Sequence, residues 1–383
     1  MAKKKQKIRA QFRKNRGARA RETDWTRRFE EHGFEEEDTL DGERLSGKGE
    51  LTRRRTVMGS EQDTGGEPGF DVHLDVDSAT SHTGRVLCVH GLVSTVEAED
   101  GRIVHCATRR LLKTLSTEQR HVVAAGDRVS FRTVENSDAD TNEGVIERIE
   151  PRRGSICRTS RGRQQIIVTN VDQVLIITSA AEPRLKPNLI DRLLITADKS
   201  HIRPIICINK IDLIDPVVLQ PLVGVYSQMG YGVLMLSATT GFGIDRFERT
   251  LRGRESVVTG QSGVGKSSLL NAVDPSLDLR VDSVSVDTEK GRHTTTTARL
   301  LPLSCGGYVV DTPGIRQFQL WDVIGEEVAG FFRDLRPYVS HCHFPDCTHT
   351  HESACAVKDA VADGRIDERR YESYCHLRSG EFA

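Results

Sequence analysis

The chain has 383 residues, of which 37% are hydrophobic and 28% charged, with a formal net charge of -1; this length and polarity predict two or three domains and a stretch too polar to pack. No apolar run approaches the roughly eighteen residues of a membrane helix, and the charged N-terminus has no apolar core behind it of the kind a secretory signal needs. Nine cysteines, an odd number in so long a chain, fit a reducing cytoplasm better than a disulfide scaffold.

Residues 1–28 carry twelve Lys and Arg against Glu22 and Asp24 alone, and residues 30–43 then carry eight Asp and Glu with no Lys or Arg. Such an arm suits a polyanion and would fold onto RNA; a solvated tail with no single role is the other reading. Weak hydrophobic periodicity predicts poor order across residues 1–80, and the Gly, Ser, Asp and Glu of Met58–Gly69 mark a linker. From Gly84 the pattern becomes one of short strands: Arg85–Leu92, Thr95–Ala98, Ile103–Cys106, then runs around Val129–Phe131 and Val145–Ile149. Asp100-Gly101 between two of them predicts a hairpin. About five such strands predict a small barrel, OB-like or SH3-like.

Residues 166–325 alternate apolar strand patterns with amphipathic helices, which predicts a doubly wound α/β domain. Strands are expected at Gln173–Thr178, Pro204–Ile208, Val233–Leu236, Ser256–Thr259 and Tyr308–Val310. A helix is expected over Leu189–Ala197, where Leu189, Ile190, Leu193, Leu194 and Ala197 form one face. Gly260-Gln261-Ser262-Gly263-Val264-Gly265-Lys266-Ser267 follows one of those strands and opens a helix over Lys266–Val273, the context a phosphate-binding loop requires. Its glycines let backbone N–H groups converge on phosphate oxygens, and the helix N-terminus adds its positive end. Lys266 is expected to reach the β- and γ-phosphates and Ser267 to ligate Mg2+, with Ser268 beside it in the nucleotide site.

Asn209-Lys210-Ile211-Asp212 ends another strand. A carboxylate there accepts two hydrogen bonds from guanine and stays unpaired against adenine, a difference that can reach roughly 10⁴ in selectivity. Ser237-Ala238 closes the next strand with a small turn that can pack on the base. Asp311-Thr312-Pro313-Gly314 sets a carboxylate near Mg2+ and the Gly314 N–H near the γ-phosphate. Between loop and sensor, Gly291-Arg292-His293-Thr294-Thr295-Thr296-Thr297 is a candidate switch, with Thr294 or Thr295 closing on Mg2+. Ile315 follows Gly314, where many small GTPases use a glutamine to orient water. His293 is the substitute the sequence offers, ahead of Gln317; an exposed polar loop residue is the other reading of His293. In ordinary GTPases the phosphate loop precedes the Asn-Lys-x-Asp turn, whereas here Asn209 precedes Gly260. The fold survives only if the chain is circularly permuted. The permutation sends the chain from the sensor into the C-terminal region, so movement of the sensor is expected to pass there.

Cys342-x4-Cys347-x-His349-x5-Cys355 gathers three thiols and an imidazole, a donor set suited to one structural, tetrahedral Zn2+. His341, His343 and His351 lie close by, which leaves the choice of histidine open, and Cys375 is a remote fifth candidate. Arg333, Arg336, Lys358, Arg365, Arg369 and Arg370, with Tyr338, Phe344 and Tyr371, flank the cluster as candidates for RNA contact or for ordinary surface.

The tail Gly265–Asn271 of the phosphate loop, the loop Gly291-x-His293-Thr294-Thr295-Thr296 and the Cys342–Cys355 spacing, in this order, resemble the ribosome small-subunit-dependent GTPase A family over roughly residues 80–375. The resemblance implies an OB-fold barrel at 81–151, a circularly permuted P-loop GTPase domain at 152–325 and a zinc-binding helical domain at 326–383; the poorly ordered extension at 1–80 is read from composition and departs from the family pattern. It also implies hydrolysis of GTP to GDP and phosphate, stimulated by the small ribosomal subunit and its rRNA late in that particle's maturation, with His293 as the catalytic histidine. We expect a cytoplasmic monomer that binds no membrane, with one Zn2+ and with Mg2+ beside GTP. A zinc-containing GTPase acting on another RNA, or a protein with nucleotide as a structural ligand, is the alternative.

Overall fold

The structure, a computed structural model, describes residues 81–109, 123–133, 143–160, 163–279, 298–311 and 325–380, together with two short strands nearer the N-terminus. Those two, β1 (Gln6–Gln11) and β2 (Arg54–Gly59), pair antiparallel within a unit of their own. The sequence predicted no element there. Runs of six residues in so charged a stretch are too short to stand out as a strand pattern; the rest of the extension lies outside the described residues.

In the larger unit, β3 (His82–His90), β4 (Val93–Ala98), β5 (Ile103–Thr108), β6 (Arg128–Thr133) and β7 (Glu143–Ile149) follow the order β3-β4-β5-β7-β6, and β6 returns to β3. β5 and β7 run parallel and the other pairs antiparallel. That closed path is the OB arrangement, so topology decides between the two barrels that composition left open. Alternate residues fill the interior: Val86, Val96, Val104, Cys106, Val129, Phe131 and Ile146 are each at most 1% exposed. The expected hairpin turns at Gly101, whose φ of 82° suits glycine.

β8 (Ile156–Ser160) and β9 (Arg163–Val168) form an antiparallel hairpin that sequence reasoning did not foresee. Beyond it, β10 (Gln173–Ser179), β11 (Arg203–Asn209), β12 (Gly232–Met235), β13 (Glu255–Thr259), β14 (Arg299–Pro302) and β15 (Tyr308–Asp311) lie in the order β12-β11-β10-β13-β15-β14. Only β14 is antiparallel to its neighbour. Every residue of β10 is buried, because helices cover both faces. Val174 and Ile176 share a core with the helices Pro187–Lys199 and Gln220–Gln228. Leu175 and Ile177 share another with Ile244–Leu251 and Lys266–Val273.

Two polar joints hold the barrel to this sheet. Fully buried Asp127 accepts from Arg152 through both oxygens and from Thr169 Oγ1, all at 2.8 Å. Arg85 pairs with Glu255 at 2.8 Å and lies over the ring of Tyr308, whose phenol donates to Glu97 at 2.7 Å. At the other end of the chain, the helices Val328–Phe331, Arg336–Val339, Ala356–Ala362 and Glu368–Ser379 pack around Phe332, Leu335, Val357 and Tyr374. Ile195 of the 187–199 helix joins that C-terminal core, so this helix serves two cores at once. Among the described residues no helix is long and apolar enough to cross a membrane.

Candidate functional site

β13 delivers the chain to Gly260 at the carboxyl end of the parallel strands, where open α/β sheets bind ligands. Gly260 has a φ of 148°, and a side-chain carbon there would lie 2.0 Å from the Ile177 carbonyl oxygen, so the position admits only glycine. Gly265, at φ 90°, caps the 266–273 helix, and a Cβ on it would lie 2.4 Å from Asn209 Nδ2. Val264 is 1% exposed and anchors the loop in the core. Gln261, Ser262 and Gly263 stay accessible, and Ser267 and Ser268 occupy the first helical turn, half-buried. Lys266 Nζ donates to the carbonyls of Gly260 (3.0 Å) and Gln261 (2.6 Å), which holds its ammonium across the loop.

β11 ends at Asn209, and Lys210 turns the chain through the left-handed region, at φ 61°, into the short turn Ile211–Leu213 that carries Asp212. Asn209 joins the two loops. Its Nδ2 donates to the Val264 carbonyl at 2.9 Å, and its Oδ1 accepts from the Ala238 N–H at 3.3 Å. Asp212 accepts from Ser237 Oγ at 2.5 Å, and that hydroxyl oxygen accepts from Thr240 N–H at 3.1 Å. Lys210 Nζ donates to the Glu182 carbonyl at 2.6 Å. Sequence reasoning saw Ser237 as a small residue beside the base and missed its grip on Asp212. It missed the Asn209–Val264 bond as well. The available signal was a hydroxyl residue closing the strand next to the one that ends in Asn209.

The structure thus gathers Asn209, Lys210, Asp212, Ser237, Ala238 and Gly260–Ser268 on adjoining loops. Asp311 ends β15, which pairs with β13 under the phosphate loop. The Asp311 side chain and the residues His293, Thr294, Thr295, Gly314, Ile315 and Gln317 lie outside the described residues, as does the segment expected to carry sensor movement onward.

The cysteine cluster is assembled as its spacing predicted. The ligand atoms of Cys342, Cys347, His349 and Cys355 all lie within 4.8 Å of one another. Cys342 and Cys355 sulfurs are 3.8 Å apart, and His349 Nδ1 is 3.4 Å from the first and 3.5 Å from the second. A tetrahedron with bonds of about 2.3 Å to sulfur and about 2.0 Å to nitrogen has edges of roughly 3.5–3.8 Å, so Cys342, His349 and Cys355 stand where one such ion would hold them, with Cys347 within 4.8 Å. Burial pushes the Cys347 thiol up to about 12, raises that of Cys355 and lowers the His349 imidazole. A divalent cation offsets that desolvation by taking thiolates and a neutral imidazole. The choice of histidine is decided by direction. His341 Nδ1 meets the Pro337 carbonyl and His351 Nδ1 meets the Thr348 and Thr350 hydroxyls. Cys375 is not part of the group.

Several flanking residues considered for RNA contact have structural tasks. Arg370, 2% exposed, holds Asp334 through two bonds (2.9 and 2.8 Å) and fully buried Asp191 at 2.7 Å. Arg369 reaches the other Asp191 oxygen at 3.1 Å. Ser373 donates to Asn188 at 2.7 Å. These bonds clamp the C-terminal helices onto the 187–199 helix. Tyr371 donates to the His349 carbonyl at 2.7 Å and so braces the metal-type cluster. Arg336, Arg365 and Phe344 remain at the surface.

The family model described as the RsgA GTPase matches residues 149–321. A small ribosomal subunit biogenesis GTPase RsgA of Sodalis glossinidius is 40% identical over 297 residues, 76% of this chain and 83% of that protein. The chain belongs to the RsgA GTPase family. It is a GTP hydrolase. Among solved structures, YjeQ from Thermotoga maritima matches with a TM-score of 0.64 at 35% identity, covering 78% of this chain and 98% of that one. YloQ, a circularly permuted GTPase, matches with a TM-score of 0.60 at 29% identity, covering 78% and 94%. The RsgA family's permutation is plain in the sheet: β11, which ends in the guanine-type turn, precedes β13, which ends in the phosphate loop, and both border β10.

Proposed function

We propose that this GTPase acts on the small ribosomal subunit during its late maturation, in the cytoplasm and as a monomer, and that the subunit and its rRNA accelerate GTP hydrolysis. The observation that carries this reading is the Asn209 side chain, which ties the phosphate loop to the base-reading turn, in a chain whose relatives are named for small-subunit biogenesis. Asp212 reads the guanine N1–H and exocyclic amine, with Ser237 keeping its carboxylate in place. The N–H groups of Gly260–Ser268 and the Lys266 ammonium take the phosphates. Ser267 with Asp311 and Thr294 or Thr295 would hold Mg2+, which would supply neutralisation of the phosphate charge. His293 orients the attacking water, and the Gly314 N–H meets the γ-phosphate.

Cys342, Cys347, His349 and Cys355 would hold one structural Zn2+, a four-donor set suited to folding rather than catalysis. The domains divide into an extension at 1–80, the barrel at 81–151, the GTPase domain at 152–325 and the zinc domain at 326–383. Steady-state GTP hydrolysis with and without purified small subunits tests the reading. Turnover is expected to rise by roughly 10-fold or more, as when a partner completes a GTPase site. Unchanged turnover overturns it.

A further inference from the structure

At the ends of β11 and β12 remote from the phosphate loop, Asp198, His201, Arg203, Pro204, Tyr231 and Arg333 line an open cavity of about 390 Å³. That volume suits a small ligand. β11 begins here and ends at Asn209, so the length of a strand, roughly 20 Å, separates the cavity from the guanine turn. One GTP cannot fill both places.

The lining has a definite chemistry. Tyr231 and Pro204 form a buried apolar floor. The Arg333 guanidinium lies over the Tyr231 ring, 4.0 Å from its centroid. It is held by both oxygens of Asp198 (2.8 and 3.2 Å) and by the Met229 carbonyl (3.3 Å). Tyr231 donates its phenol to Asp198 as well, at 2.8 Å. The lining carboxylate is therefore engaged by three donors and does little to repel an anion. Arg203 and His201 are exposed, and their side chains have no ion-pair or hydrogen-bond partner among the described residues. His201 is held in the left-handed region, at φ 53°, where its N–H donates to the Asp198 carbonyl at 3.1 Å. A residue with a Cβ disfavours that conformation, so its position is imposed by the surrounding fold.

A flat, immobilised guanidinium is a surface on which unpaired bases stack, and neighbouring cations without partners suit the phosphate that accompanies a base. A simple anion would use the cations and leave the plane idle; a base inside a duplex cannot reach it. We propose that this cleft captures one unpaired nucleotide of single-stranded RNA, its base on Arg333 and its phosphate between Arg203 and His201. The inference rests on RNA being a partner of this GTPase, as in the reading above.

The test uses the full-length protein and a short oligouridine carrying one 4-thiouridine, photocrosslinked and mapped by mass spectrometry. Crosslinks are expected within residues 199–204 or 230–233 or at Arg333. Arg203→Glu should reduce them by roughly fivefold or more, the scale of one lost phosphate contact, and leave basal GTP hydrolysis unchanged. Arg333→Lys, which keeps the charge and loses the plane, should reduce them too, and a duplex of the same length should crosslink there far less. Crosslinks that map only elsewhere, no crosslinks at all, indifference to Arg203→Glu, or equal labelling by duplex would each overturn the proposal. Small-subunit stimulation of the unmodified protein is measured alongside. If stimulation is present and the cleft fails, only the cleft inference falls; if stimulation is absent and the cleft crosslinks, the ribosomal reading falls and the RNA site stands.

Discussion

The nucleotide loops and the cysteine cluster reach their shapes by opposite means. The phosphate loop is held by its own backbone: glycine conformations that a side chain would block, an apolar anchor in Val264, and the Asn209 brace. The cluster packs three thiols and an imidazole within 4.8 Å, and burial opposes the very charges that would bind a cation. One site is shaped by the chain's own backbone, and the other gathers donors that could hold an ion. The lesson is that two sites of similar size depend on different conditions, and perturbations should separate them.

The largest separation is expected from metal removal. Chelation should abolish hydrogen-exchange protection over residues 328–379, on the scale of about 10 kcal/mol for structural zinc, while residues 166–279 keep theirs. Undiminished protection in the C-terminal helices would mean that the cluster does not depend on an ion. The sign with pH follows from the raised thiols: binding must release their protons, so metal affinity should fall as the solution is acidified. A competition titration against a chelator at several pH values reads this directly.

Asp212→Asn addresses the nucleotide site. Loss of the carboxylate should erode preference for GTP over ATP by up to roughly 10⁴-fold with little change in Tm, and equilibrium binding of the two nucleotides measures it. Preserved selectivity would remove Asp212 from base recognition.

The clamp between the regions comes next. Arg370→Met takes the two-bond partner from half-buried Asp334 and leaves buried Asp191 to Arg369 and Tyr226 alone, and breaking a buried ion-pair network of this kind costs up to about 3–5 kcal/mol. A lowered Tm is expected, whereas Arg336→Met at the surface should leave Tm in place. Equal Tm values for the two variants would show that the clamp contributes nothing.

The smallest effect concerns the barrel joint. Burial raises the Glu255 carboxyl to about 7, with Arg85 opposing the shift and Asp172 adding to it. Because the folded value lies above the ordinary 4.5, the associated stability is complete below about pH 4.5 and disappears as pH rises through about 7. This group should therefore make the protein less stable near pH 8 than near pH 5, by at most about 3 kcal/mol. Glu255→Gln should flatten that part of the pH profile, and denaturant titrations at both pH values give the comparison.

How much was legible in advance follows the range of the interactions involved. The phosphate loop, the helix Lys266–Val273 and the barrel strands were written in local signals: glycines at a turn, a strand before and a helix after, alternation of apolar residues. The four donors of the cluster were legible too, because they fall within fourteen positions of one another. The selection of His349 over its neighbours was a matter of side-chain direction, which spacing does not encode. The hairpin β8–β9 escaped notice because its pattern is weak over short runs.

By itself the amino-acid order determined the chemistry of the loops, the permuted succession of motifs and the alternation that makes each strand one-sided or fully apolar, since these depend on neighbours along the chain. Tertiary structure alone decided that β5 pairs with β7 to close an OB path, that Ser237 steadies a carboxylate 25 positions away, and that Arg369 meets Asp191 across 178 positions. A charged residue looks the same in sequence whether water or a distant carboxylate satisfies it, and only folding determines which one does.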